Sequence, residues 1–328
     1  MIDSPGYGRA YLQLVTTMAL WGSAFASSKI VVDAVPHSVA AVLRFGGGAL
    51  VLLLVLKLFG GDRSGEPPRA KTRAGLAGLL GVFGYNTFFF WGLSLAPSLD
   101  GTIIVPVLSP ILTTAFVVLS GREKVSTARV IGLSAGLGGA ILFFMGVGGD
   151  FSGGTDRLLG DFVYLLGAVC WSAYTLTVPH TMRGIESLRA TTYATVAGAV
   201  ALALFAAPSV PDVAWETVPT AVWLNVGYLV LGPTVVAYIL YYSGIRSLGA
   251  TTASIMMFTS PVFGAICSVV FLHETFSLLQ GVGAAVMLVG AVLAVTNGKL
   301  PRRNRPVAEP EPEPKPAAEA KATVDATT

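Results

Sequence analysis

The chain has 328 residues, of which 53% are hydrophobic and only 12% charged, and its mean hydropathy is +0.71. That balance excludes an ordinary soluble domain, in which roughly a quarter of residues are charged, and it requires lipid as solvent. A net charge of +3 gives no reason to expect a nucleic-acid partner. Ten spans of about 20 residues leave only short connections and no room for a soluble catalytic domain.

Apolar segments follow one another at Tyr11–Val32, Ser38–Phe59, Arg73–Leu95, Leu99–Ser120 and Ala128–Val147. After a Gly- and Asp-bearing stretch from Gly148 to Gly160, five more run over Asp161–His180, Leu188–Ala207, Ala221–Ser243, Ala250–Leu272 and Ser277–Thr296. The first follows Arg9 and contains Ala24-Phe25-Ala26, as a cleavable leader would. Its apolar run is longer than the roughly 7–15 residues of such leaders, so it reads as a span. Beyond Lys299, the tail Pro301–Thr328 alternates Pro, Glu, Ala and Lys and is expected to be disordered, because it has too little apolar surface to offset the entropy of ordering.

Lys and Arg in the short connections set the expected orientation. Arg9, Lys57, Arg63, Arg69, Lys71, Arg73, Arg122, Lys124, Arg129, Arg183, Arg189, Arg246, Lys299, Arg302, Arg303 and Arg305 fall on one side. The opposite connections hold Arg157 as their one basic residue, among Asp33, Asp150, Asp156, Asp161, Asp212 and Glu216. Both termini are therefore expected in the cytoplasm, with the chain multi-pass in a plasma or inner membrane.

A shift of 151 residues superposes Ser109-Pro110 on Ser260-Pro261, Glu123 on Glu274, Ser126 on Ser277, Gly132 on Gly283 and Gly139-Ala140 on Gly290-Ala291. Trp21 and Trp171 recur at a shift of 150. Each half has an odd number of spans, so the second enters the membrane from the opposite side as an inverted repeat. The expected fold is an all-α integral membrane protein: ten transmembrane helices in two inverted five-helix repeats, residues 1–147 and 161–297, joined by a linker at 148–160 and followed by a tail at 298–328. Such a pair opens to either side by rocking its halves about one central site, which is alternating access.

These residues resemble the EamA-type branch of the drug/metabolite transporter superfamily. The resemblance rests on Trp21-Gly22-Ser23, Leu43-Arg44-Phe45, Leu108-Ser109-Pro110 through Gly121-Arg122-Glu123, and Thr259-Ser260-Pro261 through His273-Glu274, with Gly-rich fifth and tenth spans. It covers about residues 10–297 and departs in the second half, where Trp171-Ser172-Ala173 replaces Trp-Gly-Ser and no Phe follows Arg189. It implies a ten-helix carrier with a central cavity formed by spans 1, 3, 4, 6, 8 and 9, handling amino acids, metabolites or drugs by efflux. The partners so implied are a small-molecule substrate and the lipid bilayer.

Charges inside spans are costly and point to function. Lys29 and Arg44 qualify: either attracts an anionic group such as a carboxylate, or snorkels and bonds backbone carbonyls. Asp100, Asp161, Glu123 and Glu274 sit near span ends, which argues against proton coupling. Asn86 in Gly84-Tyr85-Asn86-Thr87 either bonds a neighbouring helix or faces solute. Trp21, Trp171, Tyr174, Tyr238 and Tyr241 either line the same cavity or pack, and Trp91 lies nearer an end. Pro110 and Pro261 should each kink a span, as packing devices or gates.

Glycines at 75, 78, 81 and 84, and Gly132-x-x-x-Gly136, read as close-packing stripes, with a homodimer seam as the alternative. Cys170 and Cys267 read as small hydrophobes. His37, His180 and His273 lack ligand spacing, so neither metal nor cofactor is expected. No zincin motif or nucleophile elbow occurs, and no nucleotide loop, so energy, if used, must come from gradients, with exchange or facilitated diffusion equally open. The alternatives to a carrier are an intramembrane enzyme or a non-transporting receptor or scaffold.

Overall fold

The computed structural model describes residues 5–60, 67, 69–121, 126–148, 154–181, 184–248, 256–275 and 277–296, so the tail expected to be disordered and Glu123 lie outside the described residues. The described residues are helical, joined by short turns. They form α1 (Pro5–Val32), α2 (His37–Phe59), α3 (Ala70–Leu95), α4 (Ser98–Leu119) and α5 (Thr127–Gly148). There follow α6 (Gly154–Thr181), α7 (Ser187–Ala206), α8 (220–248), α9 (Met257–Leu272) and α10 (Leu278–Thr296). Among them, seven are long and apolar enough to cross a membrane, and three shorter apolar helices lie in α5, α9 and α10. At ~1.5 Å per residue α9 reaches about 24 Å, short of the roughly 30 Å hydrocarbon core, and residues 249–255 before it are outside the described set.

Local sequence explains the helix starts. Pro36, Pro97 and Pro219 stand as extended N-caps of α2, α4 and α8, because the ring fixes φ and carries no amide to leave unsatisfied. The sixth span, expected from Asp161, begins earlier at Gly154, so much of the expected linker is helix and carries Arg157. Asp156 in its first turn suits the positive end of the helix dipole.

Pro106 and Pro110 both lie inside a continuous α4. Pro261 differs from its counterpart: α9 opens with a 3-10 turn, Met257–Thr259, and its α-helix begins at Ser260, placing Pro261 in the first turn where no hydrogen bond is lost. The expectation of matched kinks therefore fails for Pro261.

Two departures from α geometry were not anticipated. A π-helical turn over Leu79–Gly84 interrupts α3, and another over Val230–Val236 interrupts α8. Their first residues are 151 positions apart, the shift of the sequence repeat. Turns of this kind cluster at functional sites.

Packing follows the glycines. A Cβ added at Gly132 would come within 2.7 Å of the Gly290 carbonyl oxygen, and one at Gly139 within 2.8 Å of that of Gly283. The α5–α10 crossing is thus backbone on backbone, and the Gly132-x-x-x-Gly136 stripe is used inside the chain. Gly78 packs against Ala194 of α7, and Gly81 against the Tyr174 ring of α6. Polar groups are turned inward: Thr17, Ser28, Arg44, Asn86, Asp100, Asp161 and Gln280 are buried, whereas Leu50, Leu54, Leu119, Leu204, Leu224 and Val289 lie exposed. That distribution is what lipid as solvent demands.

Candidate functional site

Arg44 projects from α2 into the bundle and is 9% exposed. Its Nε donates to Thr234 Oγ1 at 3.5 Å and its Nη1 to Ser28 Oγ at 3.4 Å, both long contacts. The guanidinium carbon lies 4.9 Å from the Phe45 ring centroid and 5.9 Å from that of Phe89. Among the described residues no carboxylate pairs with it, while the hydroxyls of Tyr85, Tyr238 and Tyr228 lie within its electrostatic reach. A buried cation normally has a partner charge.

The π turn of α8 meets this group through Thr234, and the π turn of α3 ends just before Tyr85. In α8, Pro233 lacks an amide, and Thr234 Oγ1 donates back to Leu229 O at 2.8 Å. Trp21 Nε1 in α1 donates to Pro233 O at 3.1 Å. In α3, Asn86 Nδ2 donates to Val82 O at 2.8 Å and Thr87 Oγ1 to Phe83 O at 2.8 Å. Asn86 thus bonds within its own helix rather than to a neighbour, and its Oδ1 is buried without a donor.

Aromatic candidates assemble into two groups around the guanidinium. Trp21 packs on Tyr238 with ring centroids 5.6 Å apart and on Tyr241 at 4.9 Å. Trp171 packs on Tyr174 at 5.5 Å and on Tyr85 at 5.0 Å, and Tyr85 continues to Phe89 at 5.7 Å. Tyr85 and Phe89 were not singled out in the sequence, although they flank Asn86 in the same turns. The Ser23 and Tyr228 hydroxyls meet at 2.6 Å, and Ser27 Oγ donates to Asn225 Oδ1 at 2.7 Å.

Lys29 is engaged elsewhere. Its Nζ pairs with Asp33 at 2.9 Å and donates to Leu93 O at 2.9 Å, stapling the ends of α1 and α3. Trp91 stacks on His37 at that same end, with centroids 6.4 Å apart.

A cavity of about 830 Å³ lies between α3, α4 and α6, lined by Arg73, Leu80, Leu112, Phe116, Ser172 and Thr177 among others. None of the six aromatic and amide candidates lines it, but Ser172 and Ala173 separate Trp171 from Tyr174 on its wall. On its wall, Ser172 Oγ donates at 2.8 Å to Ser109 O beside Pro110. Its lining reaches Arg73 near the start of α3, Phe116 near the end of α4 and Thr177 near the end of α6, at the Arg-rich end of the bundle.

The other end is closed by polar contacts that sequence reasoning missed. Arg157 of α6 grips Asp100 of α4 with Nε to Oδ2 at 2.8 Å and Nη2 to Oδ1 at 3.0 Å, and Gln280 Nε2 of α10 donates to Asp100 Oδ1 at 3.2 Å. Glu274, held by the left-handed turn at His273 (φ 54), accepts from Ser98 N at 2.8 Å, Ser98 Oγ at 3.0 Å and Leu99 N at 2.8 Å. It therefore caps α4 from outside that helix. The signal for the first contact was Arg157 itself, the lone basic residue among acidic connections.

An apolar exterior, inward-turned polar groups, an open-sided cavity and, apart from it, a buried cation among aromatic rings define a polytopic membrane protein built to hold a small solute. The family model for the EamA-like transporter family matches residues 8–145 and 158–296, and the chain belongs to that family. It is 26% identical over 298 residues to the uncharacterized transporter YyaM of Bacillus subtilis, covering 90% of this chain and 96% of that one. It is 26% identical over 218 residues to the aromatic amino acid exporter YddG of Ancylobacter novellus, covering 66% and 74%. A solved crystal structure superposes with a TM-score of 0.60 at 26% identity, covering 88% of this chain and 97% of that one. The chain is thus a membrane transporter of small solutes, and the enzyme and receptor readings give way to it.

Proposed function

We propose that the chain exports amino acids, preferring those with aromatic side chains, by alternating access. The observation that carries this reading is Arg44, a buried cation between two groups of aromatic rings with no carboxylate partner among the described residues. A substrate carboxylate is the missing counter-charge, and a planar side chain fits the faces of Trp21, Tyr85, Trp171 and Tyr238. The Ancylobacter relative, an aromatic amino acid exporter by name, agrees with that chemistry.

In this reading the chain has ten spans in two inverted repeats, 1–147 and 161–297, with both termini cytoplasmic in a plasma or inner membrane. Support comes from the matching π turns and from the α5–α10 crossing. There Gly132 meets Gly290 while Gly139 meets Gly283, the reciprocal pairing a two-fold axis produces. In this reading the cavity mouth lies on the cytoplasmic side, which the bias of basic residues supports. The structure then corresponds to a state ready to load substrate from within.

Binding to purified protein tests the site. L-phenylalanine should bind, and phenethylamine, which lacks the carboxylate, should bind about tenfold more weakly or worse, because a charge-assisted hydrogen bond contributes about 1.5–3 kcal/mol. Arg44→Ala should remove the difference between the two ligands. Equal binding of both by the native protein would overturn the assignment of Arg44.

A further inference from the structure

Asp100 and Asp161 are both 0% exposed, on α4 and α6 at the end away from the cavity. Asp100 is well supplied: two nitrogens of Arg157 and the Gln280 amide donate to it, leaving one acceptor site on Oδ2. Asp161 is not, for neither of its oxygens receives a hydrogen bond from any N–H or O–H of the protein. What it meets is the Asp100 carboxyl group, side chain to side chain.

The remaining groups facing the pair are accounted for. The Tyr164 hydroxyl on α6 is near both acids and donates to Pro97 O at 3.3 Å. Glu274, beyond α9, is committed to Ser98 and Leu99. Two buried carboxylates therefore lie beside one guanidinium whose hydrogen bonds go to Asp100 and not to Asp161, and two like charges in contact without water cannot both stay ionised. A proton on Asp161, donated to the Asp100 carboxylate, removes the like-charge contact and gives the protonated oxygen a partner.

We propose that Asp100 and Asp161 form a one-proton site, occupied in this closed arrangement, and that its proton is the counter-ion of transport. Sealed here, the pair releases or takes up its proton only when this end opens to water. Opening is then linked to protonation and cavity loading at the other end to substrate, as an antiporter requires. The proposal runs against the expectation drawn from acids near span ends: Asp161 lies less than two turns from the described start of α6, yet packing removes it wholly from water. The proton site stands on this geometry, whereas its coupling to phenylalanine rests on the proposed function.

Infrared spectroscopy of the full chain in lipid reads the site without any substrate. At pH 7 the native protein should show the C=O stretch of a protonated carboxyl group, and Asp161→Asn, which keeps shape and can donate its amide to Asp100, should lose it. No such band in the native protein, or an unchanged band in the variant, would overturn the proposal. So would sodium raising the melting temperature of the native protein but not of the variant, since the site would then hold a metal cation. In proteoliposomes, an imposed pH gradient should drive labelled phenylalanine accumulation, and the ratio of accumulation to exchange should collapse in Asp161→Asn. Exchange without any response of the native protein to the gradient contradicts coupling. If phenylalanine does not move at all, the substrate reading fails, and the infrared band still decides the proton site.

Discussion

Glu274 shows how a single side chain joins distant parts of the sequence. The left-handed backbone at His273 turns the chain out of α9, and its next residue supplies a carboxylate to the first two amides of α4. A free helix start would leave those amides without partners in a low-dielectric setting. Glu274→Ala is expected to cost about 1–3 kcal/mol, read as a lowered melting temperature in detergent, with Glu274→Gln intermediate. An unchanged melting temperature in both would show the cap to be dispensable. The sequence exposed this residue through its repeat with Glu123 but not its role, because capping partners 176 residues apart carry no local pattern. Arg44 was legible as a costly intramembrane charge. Its isolation from acids was not, since that depends on which helices surround α2.

At the scale of the element, glycine position separates packing from exposure. Gly283→Ala should destabilise, because the new Cβ would lie 2.5 Å from Phe143 N and 2.8 Å from Gly139 O, and backbone cannot yield as a side-chain tip can. Overpacking of this sort costs about 1–3 kcal/mol. Gly281→Ala on the same helix meets nothing within 4 Å, and with alanine favoured over glycine in helices by about 1 kcal/mol its melting temperature should hold or rise. Equal effects of the two would contradict the α5–α10 interface. Stripe spacing made these faces readable beforehand, since small residues at helical intervals point to close approach. The π turns were not readable that way. Gly81 and Gly232 lie at the repeat shift, but an extra residue per turn changes hydrogen bonding without changing composition.

For the whole molecule, apolar runs, the basic-residue asymmetry and the 151-residue shift carried membrane residence and the expectation of paired halves. What they could not carry was lateral arrangement: which helices enclose the cavity, and that Asp100, Arg157 and Gln280 meet across three of them. The proposed orientation is checked with Cys170 and Cys267 replaced. Asp212→Cys, in the connection before α8, should react with a membrane-impermeant maleimide in intact cells, and Lys57→Cys at the end of α2 only after permeabilisation. The reverse pattern would contradict the proposed topology. The central claim, that the chain carries amino acids past an aromatic site anchored by Arg44, is tested most directly by counterflow. Purified protein in liposomes loaded with unlabelled phenylalanine should accelerate entry of the labelled amino acid, and Arg44→Ala should abolish that acceleration. Native protein that is folded yet gives the same entry as empty liposomes, or a variant that exchanges like the native chain, would contradict it.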